Sequence, residues 1–294
     1  MRLTLMRGDM NREDLINNLE IRASQLRKDS LIAIQEMGSG WIGGSFSSAD
    51  IITALFFYRM KYDPKAPGWE ERDRLVVSKA HACEIVYAAL AEKGFFPREE
   101  LKTYSHLASR LQVHVDCKTP GIDCSGGSLG LGLSFAVGTA MAAYIVSEGK
   151  NLWADPRGKD PRYRVYCILG DGECNEGQVW EAVLNAAHYR LDNLTAIVDH
   201  NKFQSTGPVK EKMNTGSLAD KFSAFGWETR EIDGNQMKDV VDALDWILTV
   251  SSRPQAIIAH TRKGCGFPGL EDTNCHMMSV TDECIQAGIC ALTD

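Results

Sequence analysis

Apolar positions along this chain change their spacing from block to block. Between residues 11 and 37, Leu15, Leu19, Ile21, Leu26, Leu31 and Ile34 form a partly regular helical stripe, which predicts a helix over 11–37. A second helix is predicted over 48–60, with Ser47, Ser48, Ala49 and Asp50 as its capping residues. The short run at 75–77 reads as a buried strand ending at Ser78-Lys79-Ala80-His81, with a helix after it. Further apolar runs predict strands over 163–169, 194–198 and 256–259, and helical patterns occupy 176–189 and 237–250. Strands alternating with helices of this length predict an α/β fold, a parallel sheet with helices on both faces. No internal repeat, low-complexity tract or linker breaks the pattern, so residues 1–294 are read as a single domain, with 149–161 as an exposed excursion.

The stretch 129–146 holds 18 residues without a charge, yet Gly130, Gly132, Ser134, Gly138 and Thr139 interrupt it. A buried helix of a large sheet protein gives that pattern, and no membrane span is expected. The first residues, MRLTLMRGDMNRED, lack the apolar core of a signal peptide. Nine cysteines with no CxxC pair read as reduced thiols, which points to a cytoplasmic location. A net charge of −7 without a basic face or an aromatic-interleaved Arg/Lys cluster argues against nucleic acid as a partner.

The chemistry concentrates at 165–202. An apolar run ends in Gly170-Asp171-Gly172, and a second one ends in Asp199-His200-Asn201-Lys202. The carboxyl ends of neighbouring strands lie on one rim of an open α/β sheet, so Asp171 and Asn201 can converge there on a hard cation such as Mg2+. The free N–H groups after Gly172 favour an anion at the same place, so the pattern describes a magnesium diphosphate site. Two other motifs fail. Gly38-Ser39-Gly40-Trp41-Ile42-Gly43 matches GxGxxG but follows a helical pattern where a dinucleotide fold requires a strand. Asp171-x-Glu173-x-Asn175 begins like a calcium loop, but Glu176 stands where the turn glycine belongs and Ala182 where the bidentate Glu belongs.

Gly-Asp-Gly followed by 28 residues and an Asn resembles the thiamine diphosphate motif, and GDGECNEGQVWEAVLNAAHYRLDNLTAIVDHNKFQSTG resembles the corresponding segment of transketolases. LVVSKAHACEIVYAAL, KTPGIDCSGGSLGLGLSFAVGTAMAA and HTRKGCGFPGLEDTNCH resemble the other cofactor-facing segments of the transketolase amino-terminal domain, in the same order, and the likeness covers roughly 15–276. The resemblance implies thiamine diphosphate and Mg2+ as cofactors. It implies Asp171, Asn201 and the carbonyl of Phe203 as metal ligands, and Gly170, Gly172, Glu173 and again Asn201 as cofactor-binding residues. Gly127, Ser128 and Leu129 match the turn that lies against the cofactor ring, although tight helix–sheet packing would select the same glycines. His81, Lys263 and His276 match groups near the diphosphate, with the loop 267–278 departing from the family's Trp-His-Gly ending. His114 stands in the family's Gly-His-Pro, written here Val113-His114-Val115, and is expected near the substrate. Glu176 resembles the family's interfacial acid, which pairs across the subunit interface with the glutamate that protonates the aminopyrimidine. On its helix it could also simply favour the dipole.

In the family that glutamate belongs to a pyrimidine-binding domain following this one, and the sequence ends at Asp294 where that domain would begin. The expectation is therefore the amino-terminal subunit of a split transketolase. It would be active with a carboxy-terminal partner chain in an α2β2 heterotetramer and would transfer a two-carbon ketol unit from a ketose or 2-oxo donor. One departure touches the substrate: transketolases read Ser-Gly-His-Pro-Gly where this chain has Trp41-Ile42 in place of His-Pro. Tryptophan is no acid or base at neutral pH, so Trp41 is either packing or a changed pocket. Two alternatives stay open: a natural-product transferase delivering the unit to a lipoyl or carrier-protein acceptor, and a non-catalytic subunit retaining only the cofactor fold.

Overall fold

A computed structural model describes residues 11–148 and 161–292. The first ten residues, and the excursion expected at 149–161 except its last position, lie outside the described residues. Five strands, β1 (Arg74–Val77), β2 (Val165–Gly170), β3 (Leu194–His200), β4 (Glu228–Asp233) and β5 (Gln255–His260), form a sheet in the order β1-β2-β3-β5-β4, with every pair parallel. Around it stand α1 (Arg12–Met37), α2 (Ile42–Ser47), α3 (Ala49–Ala54), α4 (Cys83–Glu92), α5 (Leu131–Glu148), α6 (Gly177–His188), α7 (Leu218–Ala224), α8 (Met237–Trp246) and α9 (Asp282–Ala291).

Helices cover both faces, as a parallel sheet requires. Successive strand residues point to opposite sides. Tyr166, Ile168, Ile197 and Ile257 enter one core with residues of α1, α3, α4 and α8, while Cys167, Leu169, Ala196 and Ile258 enter another with α5, α6 and α7. Each fully buried aliphatic side chain contributes about 1.5–3 kcal/mol, so the two apolar faces of the inner strands dominate the stability of the sheet. A third cluster, Leu31, Ile34, Ile42, Phe46, Phe267 and Ile285, packs α9 and the segment before it onto α1 and α2.

Helix α1 starts where Asn11 caps it, its side chain accepting from the N–H of Asp14 at 2.8 Å. It ends at Gly38, whose φ of 72° needs glycine and lets its N–H return to the carbonyls of Ile34 and Gln35. That turn sends the chain into Ser39–Gly40, which pairs antiparallel with Met278–Ser279. The GxGxxG match thus follows a helix, as the pattern required for its rejection.

Three expectations change. The helix expected over 48–60 is α3 followed by a wider, π-type turn at Leu55–Arg59, and α2 precedes it without having been foreseen. Ser48 does not cap α3 with its side chain, because its hydroxyl donates to the carbonyl of Gly44 at 2.8 Å instead. The helix expected to be buried over 129–146 is α5, and one side of it is open: Leu131, Phe135 and Ile145 are 49%, 43% and 45% exposed. No described helix is long and apolar enough to cross a membrane.

Candidate active site

Strand register places the site. Gly170 is paired with Asp199, and Asp199 with Ala259, so the residues that leave β2, β3 and β5 emerge on one rim. Asp171, almost fully buried, accepts the N–H of Gly172 at 2.7 Å and that of Lys202 at 2.6 Å. Lys202 has a φ of 70°, a left-handed conformation that a non-glycine residue adopts at a cost, and its bond to Asp171 holds it there. The bend at Lys202 carries Asn201 and Phe203 to the cleft, where the N–H of Phe203 donates to Oδ1 of Asn201 at 3.1 Å. Burial, together with the nearby Asp199, pushes the Asp171 carboxyl up to about 7, against the pull of its two N–H donors.

Behind these residues lies a fully buried hub. Asp199 accepts from Lys79, from Thr261, from Ser47 Oγ at 2.7 Å and from Asn201 Nδ2 at 2.9 Å. Despite burial, the charge of Lys79 and these donors hold the carboxyl of Asp199 below its ordinary value. Lys79 Nζ also donates to the carbonyl of Gly44 at 2.9 Å, which joins α2 to the rim. A buried ion pair with both carboxylate oxygens hydrogen-bonded fixes geometry more surely than it adds stability. Neither Lys79 nor Asp199 was singled out from the sequence, although both stand in the segments that carry the transketolase resemblance. The available signal was a carboxylate two residues before the expected metal ligand, at the end of a largely apolar run.

The opposite wall is aromatic. Trp41 packs its ring 5.5 Å from His81, 5.9 Å from His114 and 5.0 Å from His276, centroid to centroid. Burial pushes all three imidazoles toward the neutral form, His276 to about 4 with help from Lys263 and Lys79. Lys263, 1% exposed, has an ammonium with no hydrogen-bond partner, 5.6 Å from the ring centre of Phe203. Burial lowers its pKa, as expected of a cation with no carboxylate in contact.

These groups enclose a cleft of about 600 Å³. Every residue expected at the site lines it except Ser128, which lies exposed between the two lining residues Gly127 and Leu129. Glu173 lines it too, but its carboxylate is occupied, accepting from Ser78, from the N–H of Gly130 at 2.8 Å and from that of Gly170 at 3.0 Å. It braces the loops after β1, before α5 and at the end of β2. Glu176 stands exposed at the cleft edge and makes no capping bond to α6. The cleft lining therefore brings together the Asp171 carboxylate, the Asn201 amide and Phe203, the bare buried cation of Lys263, and neutral imidazoles. All nine cysteines are free.

Residues 20–288 match the family profile of the transketolase thiamine diphosphate binding domain. The chain is 40% identical over 277 residues to the 6-deoxy-6-sulfo-D-fructose transketolase subunit of Clostridium sp. (strain MSTE9), covering 94% of this chain and 96% of that one. It is 37% identical to an apulose-4-phosphate transketolase subunit of Phocaeicola vulgatus, over 87% of this chain and 86% of that one. The crystal structure of transketolase from Campylobacter jejuni superposes with a TM-score of 0.83 at 33% identity, covering 95% of this chain and 42% of the longer one. A parallel sheet with this register, a cleft at its carboxyl rim and these matches lead to one conclusion: the chain belongs to the transketolase family of transferases and carries its thiamine diphosphate-binding domain.

Proposed function

We propose that this chain is the diphosphate-binding subunit of a two-chain transketolase, holding thiamine diphosphate through Mg2+ and transferring a two-carbon ketol unit. The observation that carries the reading is the buried, unpartnered ammonium of Lys263 in the same cleft as Asp171, Asn201 and Phe203. An unpaired buried cation is costly, and a diphosphate would satisfy it. Among the described residues no group of three or more His, Cys, Asp or Glu could hold a metal alone, so a cation here needs ligand oxygens as well. One carboxylate, one amide and one carbonyl suit Mg2+, which takes phosphate oxygens readily.

When bound, thiamine diphosphate supplies the thiazolium carbon that takes up and passes on the two-carbon unit. Asp171, Asn201 and the carbonyl of Phe203 hold the metal, and Gly170 and Gly172 leave room beside it. Lys263 and His81 meet the diphosphate, and Gly127 and Leu129 offer backbone to the ring. His114 and His276, kept neutral, can donate or accept a proton at substrate oxygens. Glu176, exposed at the rim, faces the pyrimidine domain of a carboxy-terminal partner, two copies of each chain forming a closed assembly. Nine free thiols support a reducing, cytoplasmic setting. The sugars in the relatives' names are both anionic, which supports an anionic sugar as one of the substrates.

Calorimetry tests the cofactor site. The chain with a pyrimidine-domain partner should bind thiamine diphosphate in Mg2+, and Asp171→Ala or excess chelator should abolish the heat. Binding unchanged by either would overturn the assignment.

A further inference from the structure

Glu84, in the first turn of α4, is fully buried and has no cation against it among the described residues. Its Oε1 accepts from the backbone N–H of Trp41 at 2.8 Å and from the hydroxyl of Tyr104 at 2.9 Å. Oε2 accepts from Ser45 Oγ at 2.7 Å. Two of these three donors belong to one turn, the start of α2, whose own bond runs from Ser45 N–H to the carbonyl of Trp41 at 3.1 Å. The carboxylate therefore closes a clamp around residues 41–45. There is no slack in it: a Cβ on Gly40 would lie 2.5 Å from Cγ1 of Ile34 and 3.0 Å from Oε1 of Glu84.

The clamp matters because the Trp41 side chain has no polar anchor. Its Nε1 is buried without a hydrogen-bond partner, and the ring is located by its backbone and by packing against His81, His114 and His276. Burying an uncompensated carboxylate costs far more than burying an apolar side chain of that size. Packing alone does not require an acid here.

We propose that Glu84 is a positioning residue, which holds the Trp41 turn so that the indole stays wedged among the three imidazoles of the cleft wall. Burial raises the pKa of Glu84 above its ordinary value, against the pull of the donors it accepts from. The placement of Trp41 follows from the structure alone. Its consequence for substrate choice rests on the transketolase reading.

Indole N–H resonances of the full chain, labelled at tryptophan, test the placement without cofactor or partner. The Trp41 line is identified by its loss in Trp41→Phe. Wild type should show one sharp line shifted by the surrounding rings. Glu84→Gln should keep it, since the amide oxygen still accepts from the Trp41 N–H. Tyr104→Phe should keep it too, because that donor lies outside the turn. Glu84→Ala should shift or broaden it, and Glu84→Asp, one methylene too short, serves should alanine unfold the chain. An unchanged line in a folded Glu84→Ala or Glu84→Asp variant overturns the proposal. With the partner added, the ratio of kcat/KM for glycolaldehyde to that for D-ribose 5-phosphate should change about tenfold in Glu84→Ala and in Trp41→Ala, and no further in the double variant. Full additivity would also overturn it. A ratio that stays flat while the line moves would instead remove Trp41 from substrate choice and leave the positioning intact.

Discussion

Trp41 brings one N–H donor and a large apolar face to a place where transketolases carry a histidine. A histidine beside a developing charge moves a proton and bonds a hydroxyl, and losing one such group costs about 10²-fold or more in rate. With the partner present, this enzyme is expected to use xylulose 5-phosphate and ribose 5-phosphate poorly, and Trp41→His to improve them. A wild-type kcat/KM on that pair of about 10⁴ M⁻¹s⁻¹ or above would show that Trp41 only packs. His276 makes a second expectation, about pH. Its folded pKa of about 4 lies below the ordinary 6.5, so between those values the unfolded chain binds a proton that the folded chain refuses. The stability tied to neutral His276 is full above about 6.5 and drains as pH falls toward 4. Urea midpoints measured at about pH 7 and about pH 5 should differ less in His276→Gln than in wild type. Equal differences would mean that His276 titrates normally.

Among the elements, what could be read in advance followed burial. Strands β2, β3 and β5 carry buried apolar runs that stood out, and α6 matches its predicted span within a residue at each end. Strand β4 did not stand out: it is an edge strand, Glu-Thr-Arg-Glu-Ile-Asp, with only Ile232 buried. Local pattern also cannot give the strand order, which depends on which strands find each other in space. That Asp171, Asn201 and Phe203 share the cleft was legible because spacing and rim geometry bring them together, whereas the Lys79–Asp199 pair and the Glu84 clamp join residues 120 and 43 positions apart. Nothing local announces such a contact. The close approach at Gly43 is of the same kind: a Cβ there would sit 1.9 Å from the carbonyl oxygen of Cys275 and 2.8 Å from Cε of Lys263. Backbone cannot yield as a flexible side chain can, so Gly43→Ala should displace the loop that carries Lys263 and His276. The expected cost is about 1–3 kcal/mol of stability, with weakened cofactor binding. Gly138→Ala in α5 is the control, since a Cβ there meets nothing within 4 Å and should gain up to about 1 kcal/mol of helix propensity. Equal melting behaviour of the two variants would refute the crowding argument.

Over the whole molecule, the apolar surface left open says where the proposed partner should sit. Leu131, Phe135 and Ile145 fall within a narrow arc of α5, and Leu184 on α6, which packs beside α5, is 58% exposed. Leu129 continues the patch to the cleft, where Glu176 stands exposed. Several large apolar side chains left open on neighbouring helices point to an interaction site rather than an ordinary exterior. If the pyrimidine domain of another chain covers it, the cleft and the interface are completed together, and this polypeptide alone should be catalytically silent. Phe135→Asp supplies the test. A charge on an exposed position should leave the chain's own stability within about 0.5 kcal/mol, but buried at an interface without a partner it should prevent assembly. Native mass measurement should find two copies of each chain for wild type and separated chains for the variant, with turnover lost in parallel. Full turnover by the isolated chain, or normal assembly of Phe135→Asp, would show that the completing surface lies elsewhere.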